Sequence, residues 1–554
     1  MTRKSVDSSL YQLLMRNEKE SASRVYLRQP RDGVWQEYTW ADVMLQARKV
    51  AAFLQQSGLE KGSHVSIISK NCAEWFITDF GIHLAGMVNV PLFPNQHDES
   101  IHYVLEHAGV KLIFVGKLDD HLKVRASLPA QYKTVSFDYH KDLKTDHTWS
   151  DVMATQPLMD IQEPAPEDLY TIIYSSGTTG SPKGAMYTNK SISDYLRVYF
   201  PDLQRIKVLD HYRLVSYLPL AHVYERSAIQ LGSVTLNCSV SFIESLDKFA
   251  HNLQEIKPTF FTAVPRIWGV FQQKIEQKLS PKVLNVLLKI PGVSTLITKK
   301  IVHGLGLDEC TNSFSGASHL PIPIIRFFEK IGIYIQEGYG QTENMAYATF
   351  TMLNDRREGY VGTPRLEVEI KLSEEGELLI KSPCMMSGYY KNEEASAGSF
   401  TEDGWLRTGD VAEIDSHNRV KILGRVSENF KNQSGEFIAP SPIEKLFGSQ
   451  SLIEQMCLVG RGLPHNVLII TLSESKDGKS KEEINQSLQN TLHEVNGRLV
   501  KYEKISNIII VKAPWTTNNN MVTPTLKVKR KIVEQQYSDL IEQTMTNKDK
   551  VIWE

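Results

Sequence analysis

The chain has 554 residues, a hydrophobic share of 41% and a formal net charge of −2. That length exceeds one core and predicts roughly three or four packing units, while the near-neutral charge supplies no overall field for nucleic acid, which is excluded as a partner. Five scattered cysteines (Cys72, Cys238, Cys310, Cys384, Cys457) without a Cys-x-x-Cys spacing argue against a disulfide framework or zinc site and fit buried thiols in a reducing compartment. The N-terminus lacks an apolar signal core, and no window approaches ~18 uninterrupted apolar residues. A soluble, cytoplasmic protein is therefore expected.

Residues 8–18 and 40–57 have helical periodicity; Val43, Ala47, Val50, Ala51 and Leu54 of the second share one face. Residues 64–69 read as a strand and 73–85 as a helix. The stretch 88–94 is extended, as Pro91 and Pro94 demand. Residues 102–107 read as helix, and 111–115 as strand. Helices alternating with short apolar strands predict a largely parallel sheet covered on both faces. Residues 137–165 are polar and contain prolines, and are expected to form a looser connection.

That connection leads into 171–174, a buried strand by its apolar and β-branched content, and then into Tyr174-Ser-Ser-Gly-Thr-Thr-Gly-Ser-Pro-Lys-Gly184. Gly177, Gly180 and Gly184 free the backbone to approach an anion. Ser175, Ser176, Thr178, Thr179 and Ser181 add hydroxyl donors, and Lys183 adds a cation. Such a loop behind a strand suits a polyphosphate; a solvated Ser/Gly loop is the less specific alternative. It is not a Walker loop, because Pro182 precedes the lysine and Gly184 follows it. The stretch closely resembles the phosphate-binding signature of the adenylate-forming superfamily of acyl- and aryl-CoA synthetases, peptide-synthetase adenylation domains and firefly-type luciferases.

Further along, 189–199 reads as helix and 213–218 as a strand ending in Pro219-Leu-Ala-His-Val-Tyr-Glu-Arg226. A histidine just past a strand is by default a structural residue. The resemblance implies that His222 lies between nucleotide and acyl pocket. Relatives of the long-chain type can carry an aromatic acyl gate four places on; Arg226 stands there, with Tyr224 two residues earlier. Residues 258–268 read as a strand and a helix start, and Val-Pro-Arg-Ile-Trp268 resembles the long-chain fatty acid branch. Residues 271–302 carry six lysines (274, 278, 282, 289, 299, 300) against Glu276. They read either as an amphipathic helix pair with a solvated lysine face or as a surface that dips into anionic lipid at the inner face of a membrane.

Three later segments extend the resemblance. Ser315, Gly316, Ala317 and Ser318 resemble the small-residue strand end that packs on adenine. Residues 333–343 run from a strand into Gln-Glu-Gly-Tyr-Gly-Gln-Thr-Glu343, which matches the superfamily's Gly-Tyr-Gly-x-Thr-Glu signature. The resemblance implies that Glu337, Gly338, Tyr339 and Gly340 border the nucleotide, that Tyr339 stacks on adenine and Thr342 holds phosphate, and that Glu343, with Thr178, binds Mg²⁺. One carboxylate with phosphate oxygens and waters is an ordinary Mg²⁺ shell. Residues 376–381, 387–391 and 404–410 are spaced as in the family, and Asp410, in a Thr-Gly-Asp turn, is implied to accept both ribose hydroxyls. A strand at 420–425 ends in Arg425, a second ribose ligand by resemblance.

Beyond it, Ser427 occupies the hinge position that is commonly Asp or Lys in the family, and Lys431, Gly435 and Glu436 match a loop on the CoA side. The tail reads helix 441–448, strands 455–460 and 466–473, helix 481–499 and strand 505–512. Near its end, Thr523-Pro-Thr-Leu-Lys-Val-Lys-Arg-Lys531 resembles the long-chain version of the C-terminal catalytic-lysine motif at Lys527. A basic run is otherwise a solvated face.

The expected fold is α/β. A large N-terminal domain of layered mixed and parallel sheets with helices spans 1–424, a hinge 425–431, and a small mobile α+β C-terminal domain 432–554. The function the resemblance implies is ATP-dependent activation of a long-chain fatty acid to acyl-AMP, then transfer to coenzyme A, with Lys527, His222, Glu343 and Thr342 catalytic. Release to a carrier protein, or a silent lipid- or nucleotide-binding relative, are the alternatives. Acyl chain length and oligomeric state have no sequence signal.

Overall fold

The computed structural model describes residues 8–175, 181–205, 209, 211–448, 450–523, 526–544, 547 and 549–554. A seven-stranded sheet runs, in spatial order, His147–Thr148, Lys133–Ser136, Leu112–Val115, His64–Ile68, Val88–Asn89, Leu169–Ser175 and Lys183–Thr188. Its neighbours are parallel except the last two strands, which pair antiparallel and flank the glycine loop. Helices Trp40–Gln56 and Ala73–Leu84 pack together within the first core, around the fully buried Trp40 and Trp75. The first of them begins where Thr39 and Asp42 form a reciprocal capping box.

A second sheet orders Phe260–Ala263, Asn312–Ser315, Ile335–Tyr339, Thr349–Phe350 and Thr363–Pro364. Its first three strands are parallel, so the ends at Ser315 and Tyr339 open at the same edge. Arg213–Ser216 and Ser239–Phe242 form a third sheet with the hairpin Val25–Arg31 and Val34–Thr39. An antiparallel sheet of Glu369–Leu372, Glu377–Lys381, Leu406–Ile414 and Val420–Arg425 ends in the short turn Val426–Glu428. The tail has its own sheet, Ile453–Val459, Asn466–Leu472, Ile505–Val511 and Val551–Trp553, and its own apolar clusters. The α/β fold with a smaller α+β unit is what the alternating pattern predicts.

Several expectations change. Residues 271–302 are not a helix pair but belong to three helices, Pro265–Lys278, Pro281–Leu287 and Val293–Gly304. Pro281 starts the second, and Gly292, at φ +81°, precedes the third. The looser connection 137–165 includes one short helix, Trp149–Ala154, capped by Thr148 and Asp151. Asp410 lies inside the strand Leu406–Ile414 rather than in a free turn, with Gly409 at φ +67° kinking the strand just before it. The strand Val551–Trp553 and the helices Arg530–Gln536 and Ser538–Gln543 have no counterpart in the sequence reading.

Candidate active site

The strand ends of the first two sheets, the turn after Arg425 and the tail's Lys527 segment enclose a cavity of about 720 Å³. Ser175, Lys183, His222, Gly316, Ala317, Ser318, Glu337, Gly338, Tyr339, Gly340, Thr342, Glu343, Asp410, Arg425, Ser427 and Lys527 all line it. Ser176, Gly177, Thr178, Thr179 and Gly180 lie outside the described residues. Gly340 is required by space: a Cβ there would stand 2.4 Å from the Ala346 carbonyl carbon.

Asp410 is held by three side chains of the cavity. Its Oδ2 accepts from the Tyr339 hydroxyl at 2.6 Å and from Gln341 Nε2 at 2.7 Å. Its Oδ1 meets Arg425 Nε at 3.0 Å, and Arg425 Nη1 donates to the Thr408 carbonyl at 3.0 Å. Oδ2 is thus doubly occupied, while Oδ1 keeps a second lone pair through which the group can still accept from a ligand.

On the phosphate-loop side, the Tyr389 hydroxyl donates to Glu343 Oε1 at 2.7 Å, and Lys183 Nζ stands 5.2 Å over the Tyr389 ring. Tyr187 ties this wall together: its hydroxyl donates to the Thr342 carbonyl and accepts from the Met345 amide at 2.9 Å. Among the described residues no three His, Cys, Asp or Glu side chains gather as a metal cluster.

His222 accepts from the Tyr224 amide through Nδ1 at 3.2 Å. Burial, reinforced by Lys527, pushes its pKa down to about 3. The ring is therefore neutral, and with Nδ1 accepting, the proton sits on Nε2. Burial also pushes the Glu337 carboxyl up to about 7 and holds His319, 4.0 Å away, down at about 3.

Lys527 is tied to Thr523, its amide donating to Thr523 Oγ1 at 3.1 Å and its carbonyl accepting from the Thr523 amide at 2.8 Å. Its side chain is exposed to the cavity, yet the surrounding protein and the nearby Arg425 depress its pKa, against the pull of Asp410, Glu343 and Glu428. Arg530, three residues on, pairs with Glu444 at 2.8 Å and reaches Glu428 at 3.8 Å, tying this segment to the turn after Arg425.

Two groups of expected residues are not brought to the cavity. Lys431, Gly435 and Glu436 are exposed on the hairpin Phe430–Lys431 and Phe437–Ile438, away from it. Arg226 is no gate: it is 1% exposed, outside the cavity, and bonded to Asp79 and to Thr171 Oγ1 at 2.8 Å. Tyr224 lines the cavity instead. The reading of the sequence assigned no role to Gln341 or Tyr389, although both stand in motifs it quoted.

A family model described as AMP-binding enzyme matches residues 15–390, more than half the chain, and one described as AMP-binding enzyme C-terminal domain matches 431–549. The long-chain-fatty-acid–CoA ligase FadD15 of Mycobacterium bovis is 27% identical, with 96% of each chain covered. Long-chain-fatty-acid–CoA ligase 5 of Rattus norvegicus is 27% identical over 89% of this chain and 82% of its own. Among solved structures, the adenylation domain of a carboxylate reductase from Mycobacterium chelonae superposes with a TM-score of 0.82 at 22% identity, covering 98% of this chain and 91% of that one. The ATP-bound MatB of Rhodopseudomonas palustris superposes with a TM-score of 0.74 at 20% identity, covering 95% and 99%. The chain belongs to the AMP-binding enzyme family.

Proposed function

We propose that this chain is an ATP-dependent long-chain fatty acid:CoA ligase that forms acyl-adenylate and pyrophosphate, then acyl-CoA and AMP. The observation that carries the reading is that Lys527, from the tail, shares one cavity with Glu343, His222, Asp410 and Arg425. The names of the FadD15 and rat relatives support the substrate class.

A carboxylate is a weak nucleophile toward a polyanionic nucleotide. Lys527 lowers that barrier by holding the carboxylate and the α-phosphate against one ammonium. Desolvation by the surrounding protein depresses its pKa, so a bound anion makes up for hydration the ammonium has lost. His222, with its proton on Nε2, donates toward the acyl carboxyl. Asp410 offers Oδ1 to the ribose hydroxyls while Tyr339, Gln341 and Arg425 hold it still. Glu343 keeps one oxygen free of Tyr389, which suits a Mg²⁺ that takes its other ligands from phosphate and water. Bound there, the ion would neutralise charge on the departing pyrophosphate. Thr342 and Lys183 hold phosphate on the same side.

Among the described residues no cysteine lines the cavity, and burial pushes the thiols of Cys72 and Cys310 up to about 12 and about 11. The attacking thiol is therefore external, that of coenzyme A. For the second step the tail, 432–554, turns about 425–431 at Ser427, withdrawing Lys527 and bringing Lys431, Gly435 and Glu436 inward.

Peripheral contact with anionic lipid is part of the proposal. Val283, Val286, Ile290 and Leu296 are 48%, 60%, 43% and 68% exposed amid six exposed lysines. Among the described residues no helix is long and apolar enough to cross a membrane.

The test is AMP release across a series of carboxylic acids, with and without coenzyme A. Release that requires both a fatty acid and coenzyme A, with acyl-CoA formed in equal amount, is expected. Release indifferent to coenzyme A would overturn the second step, and no release with any fatty acid would overturn the first.

A further inference from the structure

The cavity lining carries a charge that a plain hydrocarbon chain cannot use. From Gly316, where a Cβ would stand 3.2 Å from the Tyr224 ring, one wall continues through Phe314 to Phe350, with ring centroids 6.4 Å apart. Tyr224 and Tyr199 line the same cavity. Arg365 lies among these rings, its guanidinium carbon 5.4 Å from the Phe350 centroid, 5.7 Å from that of Tyr199 and 4.0 Å from that of Tyr347. Tyr199, Tyr224, Phe314, Phe350 and Arg365 all line the cavity.

The guanidinium is only partly engaged. Its Nε donates to Asp202 Oδ2 at 2.7 Å. Among the described residues neither terminal nitrogen has an acceptor, and neither is sealed from the cavity. Asp202 is fully buried and already satisfied: it also takes Arg205 Nη1 at 2.9 Å and the Leu366 amide at 2.9 Å. The nearest acid in sequence, Glu367, is committed to Arg197 at 2.6 Å. One carboxylate thus faces two guanidinium groups, and the cluster keeps one net positive charge. An apolar chain end pressed against Arg365 would strip water from two charged N–H groups and return no hydrogen bond, which is costly. An oxygen acceptor at that end would restore the bonds in a fork geometry that suits carboxylates.

We propose that Arg365 is a specificity-determining residue, and that the acid activated here carries an oxygen acceptor, a hydroxyl or a second carboxylate, toward the end of its chain remote from the reacting carboxyl. The proposal rests on the ligase reading and narrows its substrate class. Asp202 is the positioning residue that holds the guanidinium among these rings.

The experiment compares kcat/KM for AMP release with three acids of equal carbon number: the plain monocarboxylic acid, its ω-hydroxy derivative and the α,ω-dicarboxylic acid. The wild type is expected to favour at least one oxygenated acid by roughly 10- to 100-fold, the effect of a hydrogen bond to a charged group. A larger gain for the dicarboxylic acid identifies anion recognition, and a larger gain for the hydroxy acid identifies a neutral acceptor; both support the proposal. Arg365→Met should abolish the preference by raising KM for the oxygenated acid alone, and Arg365→Lys, which keeps the charge without the fork, should retain part of it. A purely structural arginine would instead lower kcat/KM for all three acids together. Equal wild-type efficiency on the three acids overturns the proposal and leaves the ligase reading standing, even where the methionine variant fails to fold. No release with any acid overturns both.

Discussion

Asp410 and Arg425 stand opposite each other on paired antiparallel strands, and their side chains close the pair at 3.0 Å. The carboxylate is 5% exposed and takes further bonds from Tyr339 and Gln341. It is thus oriented before any ligand arrives. In Asp410→Asn the shape stays and the charged acceptor goes. The KM for ATP should rise roughly tenfold or more, as expected when hydrogen bonds to a charged group are lost. Steady-state kinetics at saturating fatty acid checks this; an unchanged KM would remove Asp410 from the nucleotide site.

Arg226 makes a different prediction, because its partners are structural. Asp79 is fully buried beneath it and is shared with Tyr170, Gln230 and Asn89. Removing the guanidinium leaves that carboxylate without its counter-charge, at a cost of about 3–5 kcal/mol. Arg226→Ala should therefore lose stability in urea unfolding by that order. An Arg226 variant with normal stability and altered chain-length preference would contradict this and make Arg226 a residue of the acyl tunnel.

Much of the site was legible because its pieces are local. The glycine loops, the strand ends before them and the Lys527 segment each occupy a short run with its own composition. The partners were not legible, because they join across the chain. Arg226 meets Asp79 from 147 residues away, and Arg365 meets Asp202 from 163. Arg226 stands where long-chain relatives can carry an aromatic gate, and nothing local marks it as the partner of Asp79. The three-helix form of 271–302 follows from Pro281 and the Pro291–Gly292 pair, whose breaking effect a lysine count overlooks.

Glu225 should make stability pH-dependent. It is fully buried, with Oε1 accepting from Ser216, the Tyr217 amide and Asn71, and burial pushes its pKa up to about 8. A carboxyl raised from 4.5 contributes stability that is fully present below 4.5 and is lost as pH rises toward about 8. The melting temperature of the wild type minus that of Glu225→Gln should therefore fall as pH rises across that window. A difference independent of pH would mean that Glu225 is charged throughout.

For the lysine-rich helices, charge reversal at Lys282, Lys289, Lys299 and Lys300 should abolish sedimentation with anionic vesicles. Activity on dissolved acid should be unchanged, since none of these residues lines the cavity. Equal sedimentation with neutral vesicles, or no effect of reversal, would reduce the surface to a solvated face.

The most direct test of the two-step account separates the half-reactions in Lys527→Ala. Fatty-acid-dependent ATP–pyrophosphate exchange should fall roughly 10²-fold or more, the scale of a lost transition-state contact. Transfer from supplied acyl-adenylate to coenzyme A should remain near the wild-type rate. Equal loss in both half-reactions, or none in the first, would contradict the account.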